Sequence, residues 1–191
     1  MFNRITFIGA LILSISLAVN WVLKESEVRH DFKVRNDPDV YMLNPEIATY
    51  SSSGELHHLL SAARFTHFPL TDLTTLKKPR IELKSADKWD IRSIEGRLLS
   101  ASTYRDETIE LWDNVHANHF HDSGEFIQIE TNSLTFYPSK NYLETNNRVH
   151  IKMQTGQTTA EGMQAFLETK RLQLFSGSGG RVNTIFLTNR P

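Results

Sequence analysis

Apolar and polar side chains alternate along much of the chain. The clearest runs are Ile109-Glu110-Leu111, Phe126-Ile127-Gln128-Ile129-Glu130-Thr131 and Val149-His150-Ile151-Lys152-Met153. A period of two sends successive side chains to opposite faces of an extended strand. Asp113-Asn114, Asp122-Ser123-Gly124, Ser139-Lys140-Asn141 and Asn146-Asn147 interrupt the runs with residues that tight turns favour. Shorter strands are expected at 47–50, 81–84, 89–92, 163–167, 172–175 and 182–187. Leu56, Leu59, Leu60 and Ala63 have helical spacing locally, but the flanking β signals decide for strand. A strand pair crossing from one sheet to another also fits there.

The stretch 94–153 reads as written twice. Ile94-Glu95, Leu99, Ile109-Glu110 and Val115-His116 recur as Ile129-Glu130, Leu134, Leu143-Glu144 and Val149-His150. Tetratricopeptide helices have a repeat of similar length, but their Trp, Gly, Tyr and Ala spacing is missing. Many short strands at regular spacing predict an all-β sandwich, barrel or jelly roll. Pro38, Pro79 and Pro138 fall at expected strand ends, where a missing amide costs little.

The N-terminal region differs. Ile5 to Leu23 holds no charged residue. As a helix it spans about 28 Å, close to the ~30 Å hydrocarbon layer. Arg4 before it predicts a cytoplasmic N-terminus. Ser16-Leu17-Ala18 would pass as a signal-peptide cleavage site. The apolar run continues through Trp21, Val22 and Leu23, which favours a retained anchor. Asn20 is a polar group within that span and a candidate contact to other membrane helices. The expected organisation is a cytoplasmic end (1–4), a membrane helix (5–23), a charged linker (24–36) and a β domain (37–191).

Composition narrows the chemistry. The 191 residues carry a net charge of −1, so there is no basic field for nucleic acid. The absence of Cys excludes disulfides, thiolate metal sites, a Cys nucleophile and a Cys-linked lipid anchor. Eight histidines invite a metal reading. His119 and His121 would share a strand face with His116 opposite, too few convergent ligands for zinc. If the segment is extended, His57 and His58 point to opposite faces and cannot chelate together. No hydrolase elbow, phosphate loop or zincin motif occurs. No catalytic residue, metal or cofactor is expected. If two sheets of such a domain do not close, their apolar faces line a groove. Each methylene buried there gains about 0.8 kcal/mol.

Several motifs, in order, resemble the LptC family of lipopolysaccharide export. They are Asn36-Asp37-Pro38, Asn44-Pro45-Glu46 with Gly54, Pro79, Trp89-Asp90-Ile91, Leu111-Trp112-Asp113-Asn114-Val115 and Glu161-Gly162-Met163. Asp113 and Met153 stand where the family tends to have Gly. The resemblance implies a twisted, open antiparallel β-jelly roll of the OstA/LptA type behind the membrane helix, in the periplasm. It implies a non-enzymatic subunit that takes lipopolysaccharide from the inner-membrane transporter, LptF and LptG with their ATPase LptB. The lipid would pass to the bridge protein LptA through domains joined edge to edge. Alternation then nominates Leu76, Ile91, Leu111, Ile129, Phe136, Ile151, Leu172 and Val182 as groove positions, each of which also fits a closed core. Val182, Thr184 and Phe186 of the last strand are nominated to pair with a partner, since a terminal strand leaves backbone groups open. A membrane-anchored scaffold with a closed β core, binding only protein, is the alternative.

Overall fold

In the computed structural model the alternating runs become sixteen strands of one antiparallel sheet. The structure describes residues 35–51, 53–84, 88–121, 124–177 and 180–187. The expected membrane helix, Asn20 and the linker up to residue 34 lie outside them. Among the described residues no helix is long and apolar enough to cross a membrane.

The strands are β1 Val40–Leu43, β2 Glu46–Tyr50, β3 Leu56–Ser61, β4 Arg64–Phe68, β5 Leu73–Lys77, β6 Arg80–Leu83, β7 Trp89–Arg92 and β8 Glu95–Leu99. They continue with β9 Thr108–Phe120, β10 Phe126–Tyr137, β11 Tyr142–Thr145, β12 Val149–Met153, β13 Gly156–Ala160, β14 Gly162–Phe166, β15 Arg171–Phe175 and β16 Asn183–Phe186. Leu56–Ala63, helical by local spacing, is β3 and the start of the next bend. Pairing with β2 and β6 overrides the local pattern.

Two arms share β9 and β10. The first runs β1-β4-β5-β8-β9-β10-β11-β14-β15. The second runs β2-β3-β6-β7-β9-β10-β12-β13-β16 through the other halves of the two long strands. Each passage of the chain bends where it leaves one arm for the other. The bends fall at Asn44-Pro45, Ala62-Ala63, Lys78-Pro79, Ser93-Ile94 and Asp113-Asn114, and at the β10 register shift between Thr131 and Ser133. Backbone bonds tie neighbouring bends together, such as Lys78 N to Ile94 O at 2.8 Å and Ile94 N to Asp113 O at 3.0 Å. Asn44, Lys78, Asp113 and Asn114 all take positive φ at these bends. Asn and Asp tolerate that region better than other non-glycine residues, which explains how Asp113 stands at a glycine-like position. Met153 ends β12 in ordinary extended pairing with Gly156.

The inner faces of the arms form the core. Phe65, Leu76, Ile109, Leu134, Phe136 and Leu143 of the first arm join Leu60, Ile81, Ile91, Ile129, Val149 and Ile151 of the second. The outer faces carry cross-strand ion pairs. Arg97 meets Glu110 at 2.5 Å, and Arg80 meets Asp90 at 2.7 Å and Glu82 at 2.9 Å.

Two expectations need correction. The second half of the apparent repeat is structural: Ile109 and Leu143, and Val115 and Val149, are buried inward positions on either side of a bend. The first half is not, because Ile94 sits in a bend at 49% exposure while Ile129 is core at 1%. His57 and His58 do not diverge. The β2–β3 register shifts between Thr49 and Tyr50, so His57 is the extra residue of a bulge. Its Nδ1 lies 3.1 Å from the Nδ1 of His58.

Candidate functional site

Between the two arms side chains pack together over most of the interior and leave space in one place. Where β3 faces the end of β10, the space is filled. His58 is 2% exposed and stands edge-on to Phe136, ring centres 5.9 Å apart. Its Nε2 lies 4.0 Å from Glu107 Oε1. Burial, and secondarily the neighbouring His57, lowers the His58 pKa from 6.5 to about 4. Burial also pushes the Glu107 carboxyl upward. A neutral imidazole therefore seals this part of the interior.

Between the β9–β10 hairpin and the β14–β15 hairpin the arms leave a cleft of about 340 Å³. That volume lies at the lower end of small-molecule sites. Its apolar lining comes from Ile127 and Ile129 on one side and Ala165, Phe166, Leu167 and Leu172 on the other. Trp89 forms a further wall, tilted on His119 with ring centres 5.0 Å apart. Polar groups gather on the two hairpins, His119, His121 and Glu125 on one and Lys170 and Arg171 on the other. The Arg171 guanidinium lies 4.4 Å from the Phe166 ring centre, covering an apolar wall with a charged head. An apolar hollow with few polar groups suits an alkyl chain. Among the described residues no group of three or more His, Asp or Glu could hold a metal ion.

The nominated groove positions divide by place. Leu76, Ile91, Leu111, Phe136 and Ile151 are fully buried between the arms. Ile129 is buried yet lines the cleft, and Leu172 lines it at 37% exposure. Val182 stands exposed just before β16, away from the cleft residues. Sequence alternation missed Trp89, Phe166, Leu167 and the hairpin cations. Inward periodicity marks core but does not say where the arms part.

The sheet ends differ from its middle. Among the described residues β1 and β2 each have one partner, as do β15 and β16. Val40, Tyr41, Leu43 and Tyr50 are exposed at one end, and Phe175, Ile185, Phe186 and Leu187 at the other. Thr184 is also exposed and reaches Thr158 Oγ1 at 3.1 Å. A row of unpaired backbone groups flanked by apolar side chains is the usual template for strand addition.

An antiparallel sheet bent into two arms, with an apolar cleft and exposed strands at both ends, is an LptA-like β-jelly roll. A crystal structure of LptH, the LptA-homologous periplasmic component of the lipopolysaccharide transport device of Pseudomonas aeruginosa, shares this fold with a TM-score of 0.54. Identity is 5%, and the match covers 76% of this chain and 96% of that one. The sequence model of the family described as "Lipopolysaccharide-assembly, LptC-related" matches residues 8–183, so the chain belongs to the LptC family. Its role lies in lipopolysaccharide transport. No curated protein compared with the chain matches it.

Proposed function

We propose that this chain is a non-catalytic subunit that receives lipopolysaccharide at the inner membrane and passes it to a periplasmic bridge. The observation that carries the reading is the apolar cleft between the β9–β10 and β14–β15 hairpins. Residues 5–23 would be a single membrane anchor, with Asn20 against the transporter's own helices, and 37–191 the periplasmic domain. LptF and LptG, powered by LptB, would supply the lipid, and LptA would accept it. The first and last strands would join neighbouring domains by edge pairing, with Val182, Thr184 and Phe186 at the outgoing end. Acyl chains would enter at Ile129 and Leu172. Movement further along the interior would require the arms to part over Leu76, Ile91, Leu111, Phe136 and Ile151.

The test is photo-crosslinking in energised membranes. A crosslinker replacing Leu172 or Phe166 should capture lipopolysaccharide, and one replacing Glu130 on an outer face should not. Equal labelling at both faces would defeat the proposal. The second reading, an anchored scaffold that binds only protein, draws on the complete burial of those five side chains. It predicts no lipid adduct at any position while partner capture persists.

A further inference from the structure

The β14–β15 turn shows a conformational cost at a charged residue. Lys170 takes φ +51°, a left-handed conformation that Gly or Asn adopts more easily. In its turn the Lys170 N donates to Leu167 O at 3.4 Å. The carboxylate of the same turn, Glu168, is turned toward Asn141 just before β11, whose Nδ2 donates to Glu168 Oε1 at 3.0 Å. Next in sequence, Arg171 has no carboxylate partner among the described residues and is held over the Phe166 ring. Both cations line the apolar cleft, at the end of the wall formed by Phe166 and Leu167. His119, His121 and Glu125 also line the cleft, Glu125 being the one carboxylate among the described residues of the lining. Thus two positive charges border a hollow fit for an alkyl chain.

We infer that Lys170 and Arg171 hold the phosphate of an acylated glycolipid while its acyl chain lies against Ile127, Ile129 and Leu172. The inference rests on the lipid-transfer reading above and adds to it which end of the lipid is read by charge. Arg171 supplies a planar fork that matches phosphate oxygens, and Lys170 a mobile point charge beside it. The phosphate stays at the solvated mouth, so no charge has to enter the apolar floor.

The experiment uses the full-length chain in detergent, with lipopolysaccharide offered either intact or stripped of its phosphates. The wild type should retain the intact form better by on the order of tenfold, the scale of one or two charge-assisted bonds. The Lys170→Asn/Arg171→Gln double variant should retain both forms equally, at the wild-type level for the stripped lipid. Lys170→Arg/Arg171→Lys should restore the preference. Asn is at ease in the left-handed region, so the Lys170→Asn single variant should melt no lower than the wild type, which separates lost charge from lost fold. A preference that survives in the double variant overturns the inference, as does equal retention of both forms by the wild type. Loss of the preference on adding inorganic phosphate at the concentration of the lipid would mark a free-anion site and also overturn it. If the wild type retains neither form, the lipid-transfer reading falls too. If it retains both without distinction, only the charge reading falls.

Discussion

At the scale of single residues, two positions decide how the arms close. Gly96 in β8 is hemmed in by β9 and the bend before β6. A Cβ there would lie 2.9 Å from Glu110 O, 3.0 Å from Leu111 Cδ2 and 3.1 Å from Pro79 Cγ. Two of these neighbours are backbone or ring atoms with little freedom to yield. Gly96→Ala should therefore cost about 1–3 kcal/mol of stability by overpacking, read as a lower urea midpoint at unchanged slope. A midpoint equal to the wild type would show that β8 can move. His58 sets a pH dependence. Its folded pKa of about 4 lies below the ordinary 6.5, so the unfolded chain takes up a proton that the folded one refuses. The His58 contribution is fully present above pH 6.5, is lost as pH falls from 6.5 to 4, and loses no more below that. The loss should reach roughly 3 kcal/mol. Glu107, raised by burial, acts in the opposite sense because its neutral form suits the interior. Comparing wild type with His58→Phe isolates the imidazole, and the variant should show a flatter stability profile over that window. Parallel profiles would mean that His58 finds water when charged.

At the scale of elements, β16 is the least committed strand. All its residues are exposed, and among the described residues it is held by pairing with β13 alone. Gly156 lets it come close: a Cβ there would meet Ile185 O at 2.1 Å. Gly156→Ala should push β16 off while leaving the shared core intact. Hydrogen exchange should then quicken at Thr184–Phe186 with little change at β9 and β10, and unaltered protection would count against this view. Much of this level could be read from the chain. Alternation located the strands around Ile109, Ile129 and Ile151, and the Asn, Asp and Pro residues marked most bends. What escaped reading depends on partners distant in sequence. The bulge that brings His57 to His58 is imposed by the register with β2. Leu56 to Ala63 looks helical until β6 takes its edge. The false half of the repeat, Ile94 against Ile129, matched letters across positions of unlike geometry. The cleft itself arises where Trp89 and Ile127 face Phe166 and Leu172. No local period encodes the separation of two hairpins belonging to different arms.

At the scale of the whole molecule, the apolar cleft and the exposed sheet ends sit in different places. The cleft lies between the β9–β10 and β14–β15 hairpins, whereas β1, β2, β15 and β16 form the ends of the stack. β15 touches both, because Leu172 lines the cleft and Phe175 is exposed at its other end. If the chain is a conduit, damage at the two places should separate. Ile185→Lys/Phe186→Lys places charge on a strand already exposed on both faces, so folding should be spared. Charged edge strands resist pairing with another chain. Capture of LptA should fall by at least roughly tenfold, since strand addition depends on the whole ladder of backbone bonds. Lipopolysaccharide crosslinking at Phe166 should remain or rise, because lipid that cannot leave accumulates. Leu172→Arg should do the reverse, weakening lipid capture while LptA still binds, since a buried cation without a partner is costly only when an acyl chain displaces its water. Both variants can be scored in the same membranes by crosslinking and by affinity capture of LptA. Joint loss of both activities in either variant would mean that the end of the stack and the cleft move as one body, and the conduit would then have to be built from the last strands themselves.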